Sequence, residues 1–168
     1  MIFDECSVRW FAVQVKSRSE FLVSSLLNNK GYEIYTPRYH VQSGRVHVAR
    51  KSNLALLPGY IFCRFDSTLK APILTTPGVI RIVGFGRTPI PVSREELEGV
   101  RRAERGGSDV CPHPFLTAGQ RVRVEEGPLA GVEGIVMAMR GIDRLVVSVN
   151  LIQRSVSVEL HGYRVRSI

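Results

Sequence analysis

The apolar positions of this chain change period several times, and each change marks an element. "RWFAVQV", Arg9 to Val15, concentrates aromatic and β-branched residues and predicts a buried strand. In "SRSEFLVSSLLNNKG", Leu22, Val23, Leu26 and Leu27 recur at helical spacing. Ser17 and Glu20 there fit an S-x-x-E capping box, and Gly31 suits a left-handed end, so a helix is expected over 18–30. Residues 32–65 read as strands: "YEIYTP" stopping at Pro37, "RYHVQSGRVHVAR" as a hairpin turning at Ser43-Gly44, and "LALLPGYIFCRF", which Pro58-Gly59 should bend or bulge. "STLKAPILTTPG" is short and helical at most in part, "VIRIVGFG" is a further strand, and "RTPIPV" an extended connection. A second capping box, Ser93 with Glu96, opens "SREELEGVRRAER", whose acidic first turn and basic last turn suit the helix dipole.

Beyond that helix the texture shifts. "GGSDVCPHP" is rich in breakers and reads as a flexible linker over 107–115. "RVRVEE", "RLVVSVNLI" and "RSVSVEL" then alternate in two-residue period, predicting a small β-barrel over 116–168 after a domain at 1–106. Inside it, "VEEGPLAGVEGIV" places Gly127, Gly131 and Gly134 at helix-like spacing. A helix there would carry three interior glycines at about 1 kcal/mol each and a proline at about 3 kcal/mol. A phosphate loop would need a following helix and a G-K-[ST] signature, and has neither. The remaining reading is a turn: Gly127-Pro128 starts it, Gly131 permits a positive φ, and Gly134 lets the next strand kink.

Composition narrows the function classes. Of 168 residues, 44% are hydrophobic, which fits a folded chain. No apolar run approaches the ~20 residues that span a bilayer, and "MIFDECSVRW" lacks a signal pattern, so a cytosolic protein is expected. Cys6, Cys63 and Cys111 and the four histidines are scattered, without metal-ligand spacing or a disulfide framework. No paired carboxylates and no nucleophile with a nearby base stand out, so an enzyme is not expected, nor a cofactor. The net charge of +8 is uneven: 16 Lys and Arg against 9 Asp and Glu in residues 1–106, and 7 against 6 afterwards. No acid lies between Glu33 and Asp66. Such a surface faces nucleic acid or simply solvent; charge alone favours neither.

"GQRVRVEEGPLAGVEGIV" with its closing "VEL" resembles the KOW motif of small SH3-like barrels in elongation factors and some ribosomal proteins. "WFAVQVKSRSEFLVSSLLNNKG", "LLPGYIFCRF", "TTPGVIRIVGFG" and "IPVSREELEGV" resemble, in order, the N-terminal domain of NusG proteins, and together the likeness covers roughly 9–168. The resemblance implies an α+β N-terminal domain, an antiparallel sheet flanked by helices, followed by the KOW barrel. It implies a monomer that binds RNA polymerase clamp helices in an apolar cavity and suppresses pausing. By matching position, Phe11, Leu57, Pro58, Tyr60, Ile82 and Phe85 are its polymerase-binding residues; for Phe11 and Ile82, core packing is an equal alternative. Lys16, Arg18, Thr75 and Thr76 match nucleic-acid contacts, and Arg45, Arg50 and Lys51 are candidates for upstream duplex DNA. Leu129, Val132 and Ile152 match the partner-binding edge of the barrel, which in relatives serves Rho or a ribosomal small-subunit protein. "LIQRSV", with Gln153 before Arg154 where housekeeping members read Gly-Arg, is more like the UpxY group of operon-specific antiterminators. One specialised relative stores its KOW segment as a helical hairpin. The β-branched density of "RLVVSVNLIQRSVSVEL" predicts strands here instead. A housekeeping NusG-like factor and an RNA-binding ribosome-associated KOW protein are the alternatives.

Overall fold

The computed structural model of the protein describes residues 8–43, 50–106, 108–139 and 141–168. In chain order its elements are β1 (Val8–Val15), α1 (Glu20–Asn29), β2 (Glu33–Tyr35), β3 (Arg38–Ser43), β4 (Arg50–Ala55) and β5 (Tyr60–Asp66). There follow α2 (Ala71–Leu74), β6 (Val79–Ile82), β7 (Gly84–Phe85), β8 (Thr88–Pro89) and α3 (Arg94–Gly106). The last are β9 (Ser108–His113), β10 (Gln120–Val124), β11 (Glu133–Met139), β12 (Ile142–Val149), β13 (Arg154–Glu159) and β14 (Val165–Ser167). They form two compact units, one from the residues up to Thr36 with Leu57–Arg94, the other from Pro37–Leu56 with Glu95–Ile168.

The first unit is built on an antiparallel sheet in the order β2-β5-β1-β6. Register follows from alternation: Phe11 lies opposite Cys63, and Val13 opposite both Ile61 and Ile82. These side chains share one face, where Val15, Phe65, Val23 and Leu27 of α1 and Ile73 of α2 complete a dry core. The expected helix is present, but its capping differs. Ser19, not Ser17, precedes the first turn and makes no side-chain cap. Glu20 is buried, and its carboxylate accepts the Gly59 N–H at 2.8 Å, so the acid serves a distant bend rather than its own helix end. Pro58-Gly59 breaks the apolar run outright: β4 ends at Ala55 and β5 begins at Tyr60.

The second unit holds the β3–β4 hairpin, α3 and an antiparallel sheet in the order β14-β10-β11-β12-β13-β9. Apart from one 3-10 turn at Asn150–Ile152, the regular elements after α3 are all strands, with no helical hairpin among the described residues. The hairpin pairs Ser43 with Arg50, and residues 44–49, with the Gly44 of the expected turn, lie outside the described residues.

Two features depart from the sequence boundaries. Residues 108–113, read as flexible linker, are a strand pairing Cys111 with Ser157 and His113 with Ser155. An unpaired β13 edge would leave a row of N–H and C=O groups open, and β9 satisfies it. Asp109 takes a left-handed φ of 46°, and its carboxylate accepts Arg144 Nη1 at 2.8 Å. In addition, α3 from Glu95 onward groups with the six-stranded sheet, not with the residues that precede it.

The glycine-rich stretch is the expected turn between β10 and β11. Gly127 and Gly131 have φ of 86° and 82°, which glycine alone adopts without strain. Gly134 serves differently from the expected kink: it is in β11, and a Cβ there would drive into the Val146 carbonyl and Leu145 of β12.

Candidate functional site

The Leu57–Gly59 bend and the β1–α1 turn lie together at the Val15 end of the first unit's sheet. The Leu57–Gly59 bend is tied on three sides: Tyr60 N donates to Leu57 O at 3.1 Å, Val15 N to Gly59 O at 2.9 Å, and Gly59 N to the Glu20 carboxylate. Leu57 is buried beneath the bend and Pro58 is exposed on it. Tyr60 alternates with core residue Ile61 and so projects to the sheet face opposite α1. It is half-buried, opposite Gln14, which is opposite Arg81 in turn; Arg81 Nε donates to Gln14 Oε1 at 2.8 Å.

Phe85 lies on β7, which pairs with β8 in a two-stranded sheet of its own. Val83 N donates to Ala12 O at 2.8 Å and Val92 N to Trp10 O at 2.8 Å, so the chain on both sides of β7–β8 is stitched to β1. Between them the hairpin departs and returns, closed at its base by Ile90 N to Val83 O and held near its tip by Lys70 Nζ on Arg87 O. Phe85 is 84% exposed there. The ring therefore contributes little to the core, although the turn that carries it is anchored.

Two other apolar candidates do not reach that surface. Phe11 is buried in the core, its ring 4.6 Å from that of Phe65, and Ile82 packs on the same cluster. The register of β1 against β5 and β6 sends both to the α1 face, so core packing is their role.

The basic candidates divide similarly. Lys16 and Arg18 are exposed in the β1–α1 turn, with Lys16 N bound to Gly78 O at 2.9 Å and Arg18 at a left-handed φ of 63°. Thr75 is exposed. Thr76 is 2% exposed and accepts Lys30 Nζ at 2.9 Å, so it secures the α2 turn and is not available to nucleic acid. Arg45 lies outside the described residues, and Arg50 and Lys51 are placed on β4 opposite Ser43 and Gln42. Charge balance in the first unit is lopsided for a structural reason. Its described residues hold three carboxylates, each engaged locally: Glu20 on Gly59, Glu33 on Arg64 at 3.1 Å, and Asp66 on the Thr68 amide at 2.9 Å. Lys16, Arg18, Lys70, Arg81 and Arg87 therefore face a weakly compensated surface.

In the second unit, Leu129, Val132 and Ile152 are 0%, 3% and 5% exposed. The turn folds Leu129 and Val132 inward, with Val132 N donating to Leu129 O at 3.0 Å. The sequence reading missed what lies beside them. Helix α3 runs along this edge: Gly99 approaches Val147 and Val132, and the Glu96 carboxylate accepts both N–H groups of Asn150 that face it. A glycine within a strongly patterned helix was the available signal for a close crossing. The other buried cluster centres on Arg144, whose guanidinium donates to Asp109, to Ser157 Oγ at 3.1 Å and to Cys111 Sγ at 3.4 Å, with Glu159 at 3.8 Å. Cys63, in the first unit's core, has its thiol pushed up to about 12 by burial. Among the described residues, no group of His, Cys, Asp or Glu could hold a metal ion, and no helix is long and apolar enough to cross a membrane.

Comparison with known proteins places this arrangement. The NusG family model, described as transcription termination factor nusG, matches residues 8–101. The chain is 31% identical to the transcription termination/antitermination protein NusG of Vibrio vulnificus, over 95% of its own length and 96% of that protein. It is 30% identical to the NusG of Escherichia coli K12, over 90% and 92%. Among solved structures, one described as "Domain interaction in Thermotoga maritima NusG" shares the fold with a TM-score of 0.58 at 22% identity, covering 97% of this chain and 98% of that one.

Proposed function

Because the chain belongs to the NusG family of transcription termination/antitermination proteins, and so is a transcription factor and not an enzyme, we propose that it is an operon-specific elongation and antitermination factor that rides on RNA polymerase. The carrying observation is the solvent-exposed Phe85 on a hairpin whose flanks are stitched to β1. Phe85, with Pro58 and Tyr60 as further contact residues of the same unit, is suited to the apolar side of a polymerase clamp helix. Leu57, Phe11 and Ile82 support it from beneath. Lys16, Arg18 and Thr75 give the neighbouring nucleic-acid contact, with Arg45, Arg50 and Lys51 on the hairpin reaching upstream DNA. The C-terminal unit is an SH3-like KOW barrel that engages a second partner, the ribosomal small subunit or Rho, through its Leu129–Val132–Ile152 edge. The protein acts in the cytoplasm as a monomer, without a cofactor.

The operon-specific reading, in the manner of the UpxY group, rests on "LIQRSV". Gln153 sits at a left-handed φ of 49°, where a glycine would fit at a lower cost by about 1 kcal/mol. Near-complete coverage of the Vibrio protein favours instead a housekeeping NusG-like role. Transcription of a pause-containing template by purified polymerase tests the polymerase-binding proposal. Tyr60→Ala and Phe85→Ala should each reduce pause suppression while leaving the melting temperature nearly unchanged for Phe85→Ala. Full suppression by both variants refutes the surface. Comparing templates with and without long-operon leader sequences separates the specific from the housekeeping role. Co-purification with ribosomal subunits rather than polymerase would favour a ribosome-associated protein.

A further inference from the structure

The first residue of α1 directs its charge away from its own helix. Glu20 is buried, and its Oε1 accepts the Gly59 N–H at 2.8 Å, across 39 residues of chain. A buried carboxylate is costly unless it is hydrogen-bonded, so this contact is what the position depends on. The helix that carries it is fixed. Ser24 Oγ donates to Glu20 O at 2.7 Å and pairs with Thr36 Oγ1 at 2.5 Å. Gly78 closes on the same turn of helix, where a Cβ would meet Val23 Cγ2 at 2.7 Å. The target of Glu20 is the pivot of the bend. Pro58 has no N–H to donate, and Gly59 takes a left-handed φ of 84°. Gly59 is held through its own peptide groups: Glu20 takes its N–H, and Val15 N donates to its carbonyl at 2.9 Å. Glycine has the least restricted backbone of any residue. Loss of the Glu20 tie therefore frees the segment that presents Pro58 and leads into Tyr60.

We propose that Glu20 is a positioning residue for polymerase binding: it touches no partner itself, and through Gly59 it fixes where Pro58 and Tyr60 stand. The inference rests on the polymerase-binding reading of those two residues. From the strand side Tyr60 is placed opposite Gln14, which accepts Arg81 Nε at 2.8 Å. From the bend side the Glu20 tie places it. What Glu20 supplies is an acceptor at a set reach, strengthened by its charge. Glutamine at this position keeps the reach and an acceptor but not the charge. Aspartate keeps the charge and falls short of Gly59 by a methylene, and alanine keeps neither. An acid that served only the positive end of α1 would rank the other way, aspartate above glutamine. The order of these two variants separates positioning from helix stabilisation.

The test titrates the full chain into purified polymerase on a pause-containing template. It reads the concentration for half-maximal pause suppression separately from the suppression at saturation. Glu20→Ala and Glu20→Asp should each raise the half-maximal concentration about tenfold, the lower end of what a hydrogen bond to a charged group contributes. Suppression at saturation should be retained. Glu20→Gln should raise the half-maximal concentration only about threefold. Added to Tyr60→Ala, Glu20→Ala should raise it by at most about threefold more, because the bend no longer carries the ring that it places. In the free chain, amide exchange at Gly59 should quicken in Glu20→Ala and Glu20→Asp and stay near wild type in Glu20→Gln. Tighter binding by Glu20→Asp than by Glu20→Gln overturns the inference, and so does a full tenfold effect on top of Tyr60→Ala. Should Glu20→Ala not fold, Glu20→Asp takes its place in both comparisons. If Tyr60→Ala leaves the half-maximal concentration unchanged, the polymerase-binding reading of the bend falls and the inference with it. If Tyr60→Ala weakens binding and Glu20→Asp does not, the inference alone falls.

Discussion

Replacing Asp109 in three ways separates the charge that holds β9 on its sheet from the backbone geometry that lets it lie there. Its carboxylate accepts Arg144 Nη1 at 2.8 Å, and the arginine side chain is 7% exposed while that of Asp109 is 67% exposed. Hydrogen bonds to charged groups contribute roughly 1.5–3 kcal/mol, and the exposure of the aspartate places this one near or below the lower figure, about 1 kcal/mol. Arg144 keeps Ser157 Oγ and Glu159 when Asp109 changes, so it is not left as an orphaned buried charge. Asp109→Asn preserves an acceptor and tolerates φ of 46°, and should cost about 1 kcal/mol or less. Asp109→Gly loses the acceptor but relaxes the backbone, for a similar net cost of about 1 kcal/mol. Asp109→Ala loses the acceptor and forces an alanine into the left-handed region, adding roughly 1–2 kcal/mol. Native-state hydrogen exchange at Val110, Cys111 and His113 reads the local opening, with about 1.4 kcal/mol for each tenfold acceleration. Alanine should therefore exchange roughly ten times faster than asparagine or glycine. Equal rates for all three, or wild-type rates for alanine, would refute the assignment of this pair as the fastening of β9.

Other outcomes follow from single contacts. Gly134→Ala, which sets a methyl against the Val146 carbonyl, should destabilise the second unit by roughly 2 kcal/mol in thermal unfolding, whereas Gly141→Ala, with open space around it, should lose only about 1 kcal/mol to its positive φ. The Cys63 thiol should resist alkylation at neutral pH until the chain unfolds. Because its folded value is raised to about 12, the unfolded chain ionises first, so its contribution is intact below about pH 9 and declines as pH rises from there towards 12. If Lys16 and Arg18 face phosphate, replacing each with alanine should lower the slope of log affinity against log salt for single-stranded DNA by about 0.7, measured by fluorescence anisotropy.

What the sequence made legible was local. The alternation of Arg9 to Val15, the apolar spacing of Leu22 to Leu27 and the break at Pro58-Gly59 each depend on near neighbours, and each produced the expected element. The S-x-x-E pattern misled because Glu20 answers a backbone amide 39 residues away, which no window along the chain reveals. The strand over Ser108–His113 was hidden for the same reason: its composition is that of a loop, and its pairing partner arrives more than forty residues later. Among the site residues, exposure was the illegible quantity. Phe85 and Thr76 both follow short apolar runs, yet one stands in solvent and the other under Lys30. Leu129 and Val132 stand between the glycines of a turn, but α3, the element that shares their edge, carries its signal in a single glycine.

The placement of α3 also bears on how such proteins exchange parts. The match to the NusG family model runs through residue 101, while the helix from Glu95 onward belongs with the C-terminal sheet. A graft made where that match ends would sever a packing unit, and one made near residue 95 would keep it whole. A chimera between relatives should therefore carry the helix along with the sheet that it lines, with its junction near residue 95 and not at the glycines at the helix end.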